Sequence, residues 1–144
     1  DGEPSRQRLV QGGKPPEQRG KGDPLSPDPR ITLEPFPGTV RVGAGRDGIA
    51  RSERALLLRE KGYPDVLYLP PQDVAMDRLF PSGTTTHCPF KGDATYYSIR
   101  TNGGVRRDCA WSYREPLPGM EALAGRIAFD EDWVEVRREE DNPG

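Results

Sequence analysis

Asn102-Gly103-Gly104 stands between two runs of alternating character, Ala94 to Thr101 and Val105 to Tyr113. Asparagine and glycine accept the positive φ that tight hairpin turns demand, and β-branched and aromatic residues on both flanks suit a pleated, half-buried surface. The spacing predicts an antiparallel hairpin. On its second strand a period of two places Val105, Cys109, Trp111 and Tyr113 on one face and Arg106, Asp108 and Ser112 on the other, which makes Cys109 a core residue.

Other segments repeat the theme. Ile31-Thr32-Leu33 and Thr39-Val40-Arg41-Val42 alternate as strands around a turn from Pro35 to Gly38. Ala55 to Arg59 and Val66 to Leu69, separated by the Gly62-Tyr63-Pro64 breaker, read as a second hairpin. After Pro70-Pro71, Asp73 is expected to cap a short helix running through Phe80, followed by a turn at Pro81-Ser82-Gly83. Met120 to Ala124 suits a helical turn stopped by Gly125, and Arg126 to Phe129 with Trp133 to Arg137 suits a last hairpin around Asp130-Glu131-Asp132. The expected fold is mainly β: a compact antiparallel, tent-like or partly closed sheet built from hairpins, curled to hide its edges, with one or two short helices. Gly43 to Gly48 matches a dinucleotide fingerprint only in form. It joins two strands rather than a strand and a helix, so a hairpin loop is the better account.

Residues 1–30 hold six prolines and five glycines against three large aliphatics, too little apolar surface to offset the entropy of ordering. They form an expected tail, followed by a folded domain over 31–138 and an acidic end over 139–144. The tail's six basic and five acidic residues nearly cancel; a strap across a second subunit, giving a homo-oligomer, is one use for it. The whole chain, 144 residues with a formal net charge of −2, lacks the positive field that nucleic-acid binding requires. No run approaches the roughly 20 apolar residues of a membrane span and no apolar leader opens the chain, so the expected location is the cytoplasm. Two cysteines and one histidine are too few for a disulfide framework or a structural zinc site.

Four segments, Tyr68 to Leu79, Thr85 to Ser98, Cys109 to Pro118 and Ala124 to Phe129, together resemble the bacterial family called Domain of unknown function 427 over residues 31–138. The matching positions are Tyr68, Pro70, Asp73, Cys88, Pro89, Lys91, Gly92, Tyr96, Trp111, Tyr113, Pro116 and Phe129. The chain departs from the family pattern at Pro71-Gln72, where Arg-Glu is usual, and at Cys109, where a small residue is usual. The resemblance implies a tent-like, mainly β fold and carries the label nucleotidyltransferase-like, which names no demonstrated activity.

The residues that carry chemistry centre on His87-Cys88-Pro89-Phe90-Lys91-Gly92. An adjacent imidazole and a nearby ammonium lower a thiol pKa from about 8.5 toward neutrality, which would make Cys88 a nucleophile or proton donor tuned by His87 or Lys91. In a straight strand Cys88 and Lys91 point apart, so they meet only if Pro89 and Gly92 bend the chain. The competing account is a buried cysteine and a surface lysine. Trp111 and Tyr113, faced by Tyr96 or Tyr97, make either an aromatic wall for a planar ligand or ordinary core. Asp73 and Asp77, four apart on the expected helix, would hold magnesium with substrate phosphates, or act as a cap and a solvated side chain.

Three expectations follow. One is a binding module, with a pocket floored by Tyr68, Trp111 and Tyr113 and edged by Cys88, Lys91 and Asp73, for a small anionic or nucleotide-like molecule. Another is an enzyme using Cys88 with His87 or Lys91 and Asp73. The last is a structural or interaction protein.

Overall fold

A computed structural model of the chain describes residues 30–140. Ten strands follow in order: β1 Ile31–Pro35, β2 Gly38–Ala44, β3 Asp47–Ser52, β4 Leu56–Glu60, β5 Val66–Tyr68, β6 Leu79–Cys88, β7 Gly92–Thr101, β8 Gly104–Tyr113, β9 Ala128–Phe129 and β10 Glu135–Glu140. Three single 3-10 turns, Pro71–Asp73, Met76–Arg78 and Glu121–Leu123, supply the helical residues. The fold is mainly β and wholly antiparallel in its named pairings, without a closed barrel. Among the described residues no helix is long and apolar enough to cross a membrane. Residues 1–29 of the tail expected over 1–30, and 141–144 of the acidic end expected over 139–144, lie outside the described residues.

The strands form sheets ordered β1-β4-β5, β10-β2-β3 and β6-β7-β8-β9. Leu69 and Ile127 exchange backbone hydrogen bonds of 2.8 and 2.7 Å, joining β5 to β9, so the first and third sheets run on as one curled wall. This wall explains the uninterrupted apolar runs of β4 and β5, since a strand buried on both faces has no polar side to show. Leu57, Leu67, Leu69, Ala110, Ile127 and Phe129 pack into one core with Val40, Val42 and Ile49 of β2 and β3. Their neighbours Leu58, Val66, Tyr68, Trp111 and Ala128 turn to the opposite face and build a second core with Cys88, Tyr96 and Tyr113. The period of two thus divides single strands between two cores.

The hairpins β2–β3, β4–β5 and β7–β8 form where the turn residues place them. Four local expectations are corrected. The helix from Asp73 to Phe80 is two separate 3-10 turns leading directly into β6, because Val74 bridges to Ala50 and Ala75 donates to the Ile49 carbonyl at 2.8 Å, which pulls the chain extended between them. Asp73 closes the first turn rather than capping a helix.

The turn at Pro81-Ser82-Gly83 is instead a bulge inside β6: Pro81 pairs with Tyr97 and Thr85 with Thr95. The last hairpin does not form. Asp130 donates to the Cys109 carbonyl and then accepts from Trp133 and Val134, so the chain turns a corner; β9 stays on β8 while β10 pairs with β2 out to Glu140. On β8, Tyr97 pairs with Ala110 but Ile99 with Arg106, a second bulge that breaks the expected face. Cys109 therefore packs in the core opposite to that of Trp111 and Tyr113, and Val105 is exposed.

Candidate functional site

Strand β6 ends at Cys88, and Pro89-Phe90-Lys91 carries the chain round so that Cys88 pairs with Gly92 at the start of β7. Proline fixes φ and donates nothing to a ladder, while Gly92 at φ +113° holds a backbone that residues with a Cβ rarely adopt. A Cβ on Gly92 would also meet the Glu115 carbonyl oxygen and Leu117 nitrogen at 3.4 Å. The segment Glu115 to Leu117 lies across this turn, and Leu117 donates to the Lys91 carbonyl at 3.0 Å.

The turn sends Cys88 and Lys91 into the interior, at 0% and 1% exposure. A buried ammonium needs a partner, and Lys91 Nζ donates to Glu60 Oε1 on β4 at 3.0 Å, with Glu60 itself buried. Around them stand Tyr68, Tyr96, Trp111 and Tyr113, all buried. Tyr96 and Trp111 are directly opposed across β7 and β8, with ring centroids 6.1 Å apart; Tyr68 and Tyr113 are 6.3 Å apart. The Trp111 indole donates to the Tyr68 hydroxyl at 3.3 Å, and the Tyr96 hydroxyl bonds that of Thr86 at 3.1 Å. The Tyr113 hydroxyl is buried with no hydrogen-bond partner among the described residues.

The electrostatics do not describe an activated thiol. Burial pushes the Cys88 pKa up, and it outweighs the lowering effect of Lys91 and of the backbone amides of Phe90 and Lys91. The Phe90 amide donates to Cys88 Sγ at 3.4 Å. Burial likewise raises Tyr68 and Tyr113, so both stay neutral phenols.

His87 points the other way. It is exposed, and its Nδ1 lies 2.7 Å from Oδ1 of Asp93, its cross-strand partner on β7. Asp73 also stands apart: Ser52 donates to Oδ2 at 2.7 Å, and Arg54 donates to Oδ1 and Oδ2 at 2.9 and 3.2 Å. These bonds, Arg54's first and Ser52's second, hold its carboxyl below the usual range. It lines a shallow hollow with Gln72 and Arg51. Asp73 and Asp77 do not share a helix face, because they lie in two separate 3-10 turns. Among the described residues no three His, Cys, Asp or Glu side chains converge as a metal-binding group.

Of the candidates singled out in the sequence, Cys88, Lys91, Tyr68, Tyr96, Trp111 and Tyr113 gather in one buried cluster, while His87, Asp73 and Asp77 lie outside it. Glu60 is the member that sequence reading missed. It ends a strand of leucines, and its one signal is a charged residue at a position whose parity with Leu58 points inward.

A mainly antiparallel β domain enclosing a lysine–glutamate pair among four aromatic residues is the class this architecture defines. The chain belongs to the family described as Domain of unknown function (DUF427), whose model matches residues 32–140. No curated protein matches it.

Proposed function

We propose that the domain binds a small, planar, anionic or nucleotide-like molecule at the Lys91 cluster. The observation that carries this reading is the Tyr113 hydroxyl, buried without a partner among the described residues in the core that also holds the Lys91–Glu60 pair. An unsatisfied buried hydroxyl costs stability, and a buried ion pair adds little over well-packed apolar residues, so stability alone accounts for neither. A ligand supplies the use: it bonds the hydroxyl, its anionic group competes with Glu60 for Lys91, and its flat part lies among the rings. Entry would be by displacement of the segment Glu115 to Leu117, which covers the Lys91–Gly92 turn.

The enzymatic alternative, with Cys88 as nucleophile or proton donor tuned by His87 or Lys91 and with Asp73 orienting the substrate, draws less support, because burial raises the thiol pKa, the imidazole faces Asp93 and Asp73 stands apart. The nucleotidyl transfer in the family label is likewise not carried by any constellation described above.

The test is a thermal-shift screen of nucleoside phosphates and small carboxylates against the wild type and Tyr113→Phe. Phenylalanine removes only the orphan hydroxyl, so the unliganded variant should melt at or above the wild-type temperature. The ligand-induced shift should fall, since ligands stabilise in proportion to their affinity for the native state. A set of compounds that all leave the wild type unmoved, or shift both proteins equally, refutes the proposal.

A further inference from the structure

The two bulges flank the same stretch of β7 from opposite sides. On one side β6 carries extra residues between Pro81 and Thr85; on the other β8 carries extra residues between Arg106 and Ala110. The bulges reach toward each other: Thr84 Oγ1 donates to Asp108 Oδ2 at 3.0 Å, and the Asp108 amide donates to Ser98 Oγ on β7 at 3.1 Å. Between them lies a hollow of about 440 Å³, within the usual range for small-molecule sites.

Two features of Asp108 mark this hollow. Asp108 has φ +51°, the one non-glycine residue among those described with positive φ, a conformation that aspartate tolerates and that the bulge on β8 uses to re-aim its side chain. Its second carboxylate oxygen, Oδ1, is buried without a hydrogen-bond partner. A buried carboxylate oxygen needs a donor, and none of the described residues provides one. Bulges recur beside binding sites because they re-aim side chains.

The lining sets the chemistry of an occupant. Asp108 is its one acidic residue and Arg107 its one basic residue, while Phe80, Pro81 and Val105 offer an apolar wall. Val105, at 49% exposure, is one of the few large apolar side chains that the fold leaves uncovered. We infer that the hollow between the two bulges is a binding site for a small zwitterion with an apolar body, of the α-amino-acid type. Its ammonium meets the Asp108 carboxylate where that side chain lines the hollow, its carboxylate meets Arg107, and its side chain lies on Phe80 and Val105. This site is separate from the Lys91 cluster and stands whether or not that cluster binds anything.

The experiment titrates the described chain with three probes of matched shape, followed by calorimetry or by chemical shifts: L-leucine, isoamylamine, which lacks the carboxylate, and 4-methylpentanoate, which lacks the ammonium. L-leucine should bind saturably and each trimmed probe at least about tenfold more weakly, the usual effect of losing a charge-assisted hydrogen bond. Asp108→Asn keeps a residue that tolerates positive φ and an oxygen for Thr84, so it should fold with an unchanged spectrum and melting temperature. It should lose at least about tenfold in affinity for L-leucine and hardly any for 4-methylpentanoate. Absence of saturable L-leucine binding, trimmed probes that bind as well as L-leucine, or equal affinity in Asp108→Asn overturns the proposal.

Discussion

Lys91 and Glu60 are both buried and bond each other at 3.0 Å, so the energetic consequence of changing one depends on what becomes of its partner. Removing a single member takes from a buried charge the opposite charge it bonds, a change that costs up to about 3–5 kcal/mol, whereas replacing both by apolar residues of similar volume is often neutral. Lys91→Met and Glu60→Leu should therefore each lower the urea midpoint strongly, and the double variant should recover most of the loss. A double-mutant cycle whose two single costs add, within about 0.5 kcal/mol, would show that the pair is not coupled as described. Lys91→Ala is for this reason a poor probe of ligand binding, and the Tyr113→Phe comparison is the sounder one. Cys88 illustrates the same dependence on surroundings. An ammonium on a nearby residue lowers its pKa, but burial raises it by more, and the sequence displays only the first effect.

At the scale of elements, local chemistry and long-range pairing had different legibility. Asn102-Gly103-Gly104, Gly45-Arg46 and Gly62-Tyr63 turn the chain where their backbone preferences say they should, and all three hairpins form. The Val74–Ala50 bridge, the corner at Asp130 and the two bulges depend on partners far along the chain, so no local pattern announces them. The candidate cluster was largely legible because the bend at Pro89 and Gly92 is local; Glu60 was not, because it arrives from β4. The docking of β10 on β2 is the most testable of the unannounced pairings. Gly38 faces Glu140 in register, and a Cβ there would overlap the Glu139 carbonyl oxygen and lie 2.7 Å from Glu140 Cα. Gly38→Ala should cost about 1–3 kcal/mol by overpacking and should speed amide exchange in β10 before β7 or β8. Unchanged exchange in β10 together with unchanged stability would contradict the register.

At the scale of the whole molecule, the titrating groups bound a window of stability on two sides. The Asp73 carboxyl is held below its ordinary 3.8, first by the Arg54 hydrogen bond and next by Ser52. The unfolded chain takes up that proton before the folded one, so the stabilisation is present above about pH 4 and is lost as the pH falls. Cys88, Tyr68 and Tyr113 carry the opposite shift, upward from ordinary values of 9.0, 10.0 and 10.0, with burial the leading cause in each. Above about pH 9 the unfolded chain sheds protons that the folded chain keeps, so stability falls as the pH rises. Urea midpoints measured from pH 3 to pH 11 should therefore hold a plateau through neutrality and decline at both ends. Because the thiol titrates before the phenols in the unfolded chain, Cys88→Ala should delay the alkaline decline from about pH 9 to about pH 10. It should leave the acid limb unmoved. Stability that climbs between pH 9 and pH 11, or an alkaline limb indifferent to Cys88→Ala, would mean that the thiol is not shielded as described, and the case against an activated nucleophile at this position would fall with it.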